Sequence, residues 1–158
     1  MVMIIIIIGI RRILTHHHIT ITTTTTGTGW FTVKLLKIMM KNPATGEIVT
    51  LSESRQVLGS GSGCIIDSGT TDTYLPASIR SIFVTQFGKF TNGNIAYSNK
   101  QQSLSDDQVR ALPTLVFRFE GKYGAPVEIE MPAPSYTESS PGSVVVLLLL
   151  LLLLLLLL

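Results

Sequence analysis

The chain has 158 residues, of which 46% are hydrophobic and 14% charged, and a formal net charge of +2 at pH 7. Its Lys and Arg residues are scattered rather than interleaved with aromatic residues along a stripe, which argues against a nucleic-acid partner. The single cysteine, Cys64, excludes an internal disulfide, and we expect it to be a small buried core residue.

Residues 1–28 form a low-complexity N-terminal segment, apolar at first and then rich in Thr and His. Arg11 and Arg12 follow the apolar run instead of preceding it, and no small-residue cleavage site is evident, so a degenerate secretory signal is only an alternative. The three consecutive histidines 16–18 would point to alternate faces of an extended chain, which disfavours a shared metal site. We therefore expect no metal and no other cofactor.

A globular segment is predicted over residues 29–138, because its composition is that of an ordinary folded domain. Apolar alternation predicts a strand with a bulge at Leu35-Leu36, and turn residues then lead into a second strand and a hairpin. The strands expected in the first half of this segment cover residues 30–41, 47–51, 56–58 and 64–66.

A helix is predicted to open at Leu75-Pro76, because proline suits the first turn of a helix. Gly88 stands where a C-terminal cap is expected. Four residues at helical spacing are predicted to form the apolar face: Ile79, Ile82, Phe83 and Phe87.

The second half of the globular segment begins with a helix-capping pattern, in which Ser105 and Gln108 have the spacing of a capping box. Between them, Asp106 and Asp107 are interpreted as solvent-exposed helix-end charges rather than catalytic groups. Clean alternation then predicts a strand over residues 114–121, paired across a turn with a strand at residues 127–131.

The residues that carry chemistry lie between Gly63 and Pro76. Asp67 follows a short apolar run, and a carboxylate in such a place needs hydrogen-bond donors to remain charged. Gly69 lets the backbone fold back so that its N–H can reach the carboxylate, while Ser68 and Thr70 supply hydroxyl groups. The glycines just before this stretch do not indicate a phosphate loop, because no lysine or helix follows them.

This stretch resembles the pepsin-like aspartic peptidases, in which hydrophobic-hydrophobic-Asp-Thr/Ser-Gly-Thr occurs once in each of two lobes. Asp-Ser-Gly-Thr-Thr followed by Tyr-Leu-Pro and a helix is similar to the version in the C-terminal lobe. The resemblance implies an all-β fold: a pepsin-like β-barrel lobe, incomplete, with one or two short helices. Three flanking segments also stand in the family's order: residues 30–38, 112–121 and 131–136.

The resemblance implies an aspartic endopeptidase that cleaves peptide or protein substrates with a water activated between two aspartates sharing one proton. Asp67 would be one of these aspartates. Gly69 and Thr70 would hydrogen-bond its carboxylate, and Ser68 would contact the opposite lobe. Two further residues would lie on the substrate side of the cleft: Thr71 and Asp72.

The sequence also departs from the family, because Asp67 begins its only Asp-Thr/Ser-Gly pattern and the later strands of the lobe are not recognisable after Tyr136. We therefore expect a partial C-terminal lobe that is inactive alone and needs a missing N-terminal lobe or a second copy. Two alternatives stay open: a homodimeric, retroviral-type protease and a non-catalytic lobe that binds peptides or partners. The repetitive ends add a third, a truncated or mis-assembled product without a native role.

The C-terminal end is interpreted as a linker at residues 139–143 followed by an apolar poly-Leu tail at residues 144–158. As a helix, the tail would reach about 22 Å, whereas the hydrocarbon core of a bilayer is about 30 Å thick. It is short for a span and too apolar for water, which leaves open membrane association through Val144–Leu158 or a low-complexity artefact. We expect a secretory-pathway or membrane-associated location.

Overall fold

The computed structural model describes residues 4–5, 23–25, 31–58, 64–65, 73–98, 102–140, 143–146 and 148–150. These residues are mostly β-strand with a few short helices, which confirms the predicted class in this coarse form. The strands are β1 (Ile4–Ile5), β2 (Thr23–Thr25), β3 (Phe31–Val33), β4 (Leu35–Lys41), β5 (Ile48–Ser52), β6 (Cys64–Ile65), β7 (Thr73–Leu75), β8 (Thr114–Glu120), β9 (Pro126–Met131), β10 (Thr137–Ser140), β11 (Ser143–Val146) and β12 (Leu148–Leu150). The helices are α1 (Arg55–Leu58), α2 (Arg80–Phe90) and α3 (Asp106–Arg110), with 3-10 turns at Ala77–Ile79, Lys122–Gly124 and Ala133–Ser135.

One sheet is antiparallel, with strand order β5-β4-β8-β9. The predicted hairpin of β4 and β5 is confirmed, as is the pairing of β8 with β9. The predicted bulge is also present, because the register between β4 and β8 shifts between Leu35 and Lys37. Alternation along β8 turns Leu115, Phe117 and Phe119 into the buried core.

A second sheet has the strand order β12-β7-β1-β6-β3-β2 and brings together distant parts of the chain. β1 lies between β6, to which it is parallel, and β7, to which it is antiparallel. β12 pairs in parallel with the other edge of β7. Strands from residues 1–28 and 144–158 thus belong to the same sheet as strands of the predicted globular segment.

The strand predicted at residues 56–58 is wrong, because these residues belong to the helical turn α1. The Ser54 carbonyl accepts hydrogen bonds from the N–H groups of Val57 and Leu58, at 3.0 and 2.9 Å. Leu58 is buried in the core. Three residues are too few to distinguish the spacing of apolar residues in a helix from that in a strand. The sequence was therefore compatible with a buried Leu58 in either element.

The predicted helix after Leu75-Pro76 is present, but it opens with a 3-10 turn and its apolar face differs from the prediction. Ile79, Phe83 and Phe87, spaced four residues apart, are buried as expected. Ile82 is 36% exposed and does not belong to that face. Phe90 completes the buried stripe instead.

The C-terminal cap of α2 was placed at the wrong residue, because Gly88 lies inside the helix. The Gly93 N–H donates to the Gly88 carbonyl at 2.8 Å, and the Asn92 N–H donates to the Lys89 carbonyl at 3.2 Å. Asn92 has a φ of 53°, so an asparagine occupies the left-handed position of a Schellman motif.

The capping box at the start of α3 is confirmed by both of its hydrogen bonds. The Ser105 hydroxyl accepts from the Gln108 N–H, and the Gln108 side chain accepts from the Ser105 N–H. Asp106 and Asp107 lie in the first turn, and Asp107 forms an exposed ion pair of 2.7 Å with Arg110. These carboxylates are helix-end charges in solvent, as predicted.

The predicted linker at residues 139–143 overlaps a β-hairpin, since β10 pairs with β11. The described part of the tail is likewise extended rather than helical, consistent with the strand preference of β-branched valines. None of the helices among the described residues has both the length and the apolar character needed to cross a membrane.

Candidate active site

All six residues predicted for the active site lie outside the described residues. Their predicted roles therefore stay predictions, and the structure describes the strands that precede and follow them. These residues are Asp67, Ser68, Gly69, Thr70, Thr71 and Asp72.

The two flanking strands, β6 and β7, share a neighbour. Ile5 of β1 is in register with Ile65 of β6 on one side and with Tyr74 of β7 on the other. Because β1 is parallel to β6 and antiparallel to β7, the end of β6 and the start of β7 lie at the same end of the sheet. Two interstrand spacings separate them, about 10 Å.

One residue of β6, the strand that precedes Asp67 in the chain, belongs to the core. Cys64 is fully buried and lies opposite Val33 of β3. Burial raises the pKa of the Cys64 thiol, because the thiolate would lose its hydration. A thiol kept neutral is not a nucleophile, so Cys64 is a packing residue, as expected from the sequence.

We predict that Cys64 of the native protein resists a water-soluble thiol reagent between about pH 7 and 9 and reacts fully in concentrated guanidinium. Because its pKa is raised, the folded state holds the thiol proton when the unfolded state has lost it. Stability should therefore fall as the pH rises above the unfolded thiol pKa of about 8.5. Labelling kinetics followed by mass spectrometry test this, and rapid native labelling that increases with pH would contradict it.

The strand that follows the predicted site leads directly into the helical part of the core. Thr73 and Leu75 of β7 are buried. After Pro76, the chain turns into α2, whose Phe83 and Phe87 rings contact the Tyr97 ring edge-to-face, at centroid distances of 5.1 and 5.8 Å. Leu75, Phe83 and Phe87 belong to the same buried core as Cys64.

An alternative centre would need a cluster of titratable groups elsewhere among the described residues. No group of three or more His, Cys, Asp or Glu residues within the described part of the chain could hold a metal ion. The pKa of Glu53 is held below its usual value by a hydrogen bond from Lys37 and by the charge of Lys37. A lowered pKa suits a permanent negative charge rather than an acid that exchanges protons near neutrality.

Sequence reasoning missed a cleft of about 730 Å³ on the four-stranded sheet. Its lining comes from the start of β4, the segment around α1 and the turn between β8 and β9. No local pattern could have indicated this cleft, because its residues are separated in sequence and become neighbours only through strand pairing. Five of the residues that line it are charged: Lys34, Lys37, Glu53, Arg55 and Arg118.

Comparison with known proteins supports the fold and no more. No protein-family model and no curated protein matches the chain. Among solved structures, the crystal structure of basic 7S globulin from soybean is similar, with a TM-score of 0.55 over 84% of this chain at 15% identity. The chain spans 35% of the length of that protein.

Proposed function

We propose that this chain is a partial C-terminal lobe of a pepsin-like aspartic endopeptidase, in which Asp67 supplies one of two catalytic carboxylates. The observation that carries the proposal is the arrangement of β6 and β7, which precede and follow the Asp-Ser-Gly-Thr segment in the chain and lie on either side of one strand. The similarity to basic 7S globulin, which has a pepsin-like fold, supports the same family of folds.

The proposed chemistry follows from the position of Asp67, two residues after β6, whose Cys64 is buried in the core. A carboxylate near such a strand has a raised pKa unless donors stabilise its charge. The Gly69 N–H and the hydroxyls of Ser68 and Thr70 are the donors that the sequence offers. With a second carboxylate nearby, the pair would hold one proton, so that one member takes a proton from water while the other donates to the peptide carbonyl.

The second carboxylate is not expected to come from the same 158 residues. Apart from Asp67, the sequence contains three aspartates, and none begins an Asp-Thr/Ser-Gly pattern. Asp106 and Asp107 lie in the first turn of α3, on the surface. The partner aspartate would therefore belong to an N-terminal lobe or to a second copy of the chain.

The proposal is tested by replacing the Asp-Ser-Gly-Thr segment and its flanking strands in the C-terminal lobe of an active pepsin-like peptidase with residues 63–76 of this chain. We expect acid proteolysis to survive the exchange and to fall at least about a hundredfold when Asp67→Asn is added. Tyr74→Phe in the same chimera is the control, since Tyr74 is a half-buried strand residue with no predicted role in the cleft. A fold-competent chimera without activity, or equal effects of the two changes, would contradict the proposal.

The full chain should be assayed in parallel, because β1 and β12 lie outside residues 29–138 and would be lost on trimming. We expect no hydrolysis of an unstructured protein substrate between about pH 3 and 6, where the coupled carboxylates titrate. Cleavage that Asp67→Asn abolishes would instead identify the homodimeric alternative.

A further inference from the structure

The cleft on the four-stranded sheet has an excess of positive charge. Four cationic side chains and one carboxylate line it. Lys37 pairs with Glu53 at 2.8 Å, inside the lining, and Lys34 pairs with Glu120 at 2.7 Å. Arg118 donates from its Nε to a Glu128 carboxylate oxygen at 2.7 Å.

Arg55 is the exception among these cations. It is exposed, and within the described part of the chain it forms no ion pair with a carboxylate. A guanidinium presents a planar fork of donors that fits a carboxylate in two parallel hydrogen bonds. The cleft therefore offers one unused cation to an incoming negative group.

The cleft also borders a stretch of β4 that, within the described part of the chain, has a strand in register on one side only. β5 is in register with β4 only over Ile38–Lys41, while Leu35 and Lys37 are in register with β8 on the opposite side. Leu35, Leu36 and Lys37 line the cleft, where β5 has already turned away towards α1. Strand edges of this kind bind extended peptides through main-chain hydrogen bonds.

An exposed aromatic residue stands beside the cleft. Tyr123 is 91% exposed and precedes Gly124, which lines the cleft. It has a φ of 67°, a left-handed conformation that costs a tyrosine energy and that a glycine would adopt freely. The Lys122 ammonium lies 5.0 Å from the centre of its ring. An exposed tyrosine in a left-handed conformation contributes little to the stability of the folded state. Tyrosines are, however, enriched among the residues that anchor protein interfaces.

We propose that this cleft is a docking site for an acidic, extended segment of a partner protein. A carboxylate of the segment would pair with Arg55, its main chain would run along β4 at Leu35–Lys37 on the side away from β8, and Tyr123 would cover it. None of the described residues that line the cleft belongs to the proposed catalytic segment, so the docking site is independent of the aspartic-peptidase proposal.

The test measures binding of fluorescent peptides to the full chain in mild detergent by anisotropy at low salt. One peptide alternates Glu with Val, and its partner carries Gln at each Glu position. We expect the Glu peptide to bind and the Gln peptide to bind at least about tenfold more weakly, with Arg55→Glu causing a similar loss. Arg80→Glu is the matched control, because it makes the same charge change at an exposed position on α2 and should leave binding within about twofold.

Tyr123→Gly distinguishes an effect on peptide binding from an effect on the stability of the fold. We expect this change to weaken the Glu peptide at least about threefold while thermal stability stays the same or rises, because the left-handed strain is relieved. Equal binding of the two peptides, or equal losses from Arg55→Glu and Arg80→Glu, would overturn the proposal. Binding of polyphosphate or anionic vesicles as tightly as the Glu peptide would overturn it as well, in favour of a general polyanion surface.

Discussion

Phe117→Ala is expected to lower the free energy of unfolding by about 3–5 kcal/mol, a large share of the stability of a domain this size. Phe117 is fully buried on β8, one of the two inner strands of the four-stranded sheet. It lies in register between Ile38 and Ile129, both buried, and its ring stacks on Phe119 at a centroid distance of 6.4 Å. Truncation leaves a cavity that strands paired on both sides cannot close.

The matched control for Phe117→Ala is Tyr123→Ala, which also removes an aromatic ring. Tyr123 is almost fully exposed, so we expect a change within about 0.5 kcal/mol. Urea unfolding of the full chain followed by circular dichroism measures both. If the two variants unfold at the same urea concentration, the described core does not carry the stability of the chain.

Gly121→Ala is expected to destabilise the protein by about 1–3 kcal/mol, although it adds a single methyl group. A Cβ at this position would lie 2.5 Å from the Ala125 carbonyl oxygen and 2.7 Å from the Val127 Cγ2. The backbone cannot move away easily, because the Gly121 N–H donates to that same Ala125 carbonyl at 2.8 Å. The φ of Gly121 is −84°, so the glycine is required for space and not for its conformation.

Gly88→Ala is the control, and we expect it to change the free energy of unfolding in the opposite direction. Gly88 lies inside α2, and apart from its chain neighbours and the backbone of its own helix, a Cβ there would meet no heavy atom of the described residues within 4 Å. We expect a gain of up to about 1 kcal/mol, because alanine has the higher helix propensity. Thermal unfolding of both variants and the unaltered chain measures the expected loss of stability at Gly121 and the expected gain at Gly88. A loss at Gly88, or none at Gly121, would contradict the packing described for the turn between β8 and β9.

The elements that could be predicted from the sequence are those encoded by neighbouring residues. β8 shows the alternation of its buried residues, and α3 carries both side chains of its capping box within four positions. The hairpin of β4 and β5 is encoded by turn residues between two apolar runs. In each case the partners of the interaction lie close together in the chain, so a local pattern is sufficient.

The predictions that failed concern positions where a local pattern allows two outcomes. Residues 56–58 are too few to show a strand or a helix period, and burial of Leu58 in a helical turn decided between them. Gly88 looked like a cap, yet Asn92 adopts the left-handed conformation four residues later. An asparagine tolerates that conformation because its short polar side chain can hydrogen-bond locally.

For the proposed site as well, some features could be predicted from the sequence and others could not. Asp67 and its Ser-Gly-Thr neighbours were singled out from the sequence, through their residue types and through the resemblance to pepsin-like aspartic peptidases, because a held carboxylate needs its donors close by in the chain. The arrangement of β6 and β7 on either side of β1 could not be predicted, since it joins residues about 60 positions apart through backbone hydrogen bonds that carry little sequence information.

The sequence by itself therefore determined the β-rich class, the paired strands of β4, β5, β8 and β9, and the candidate aspartate. Only the tertiary structure decided that both ends of the chain add strands to the sheet around β6 and β7, and that Arg55 has no ion-pair partner among the described residues beside a strand edge. The physical reason is the separation along the sequence between the residues that interact. Propensities, caps and turns act between neighbours, whereas strand order and the pairing of charges depend on which distant segments the fold brings together.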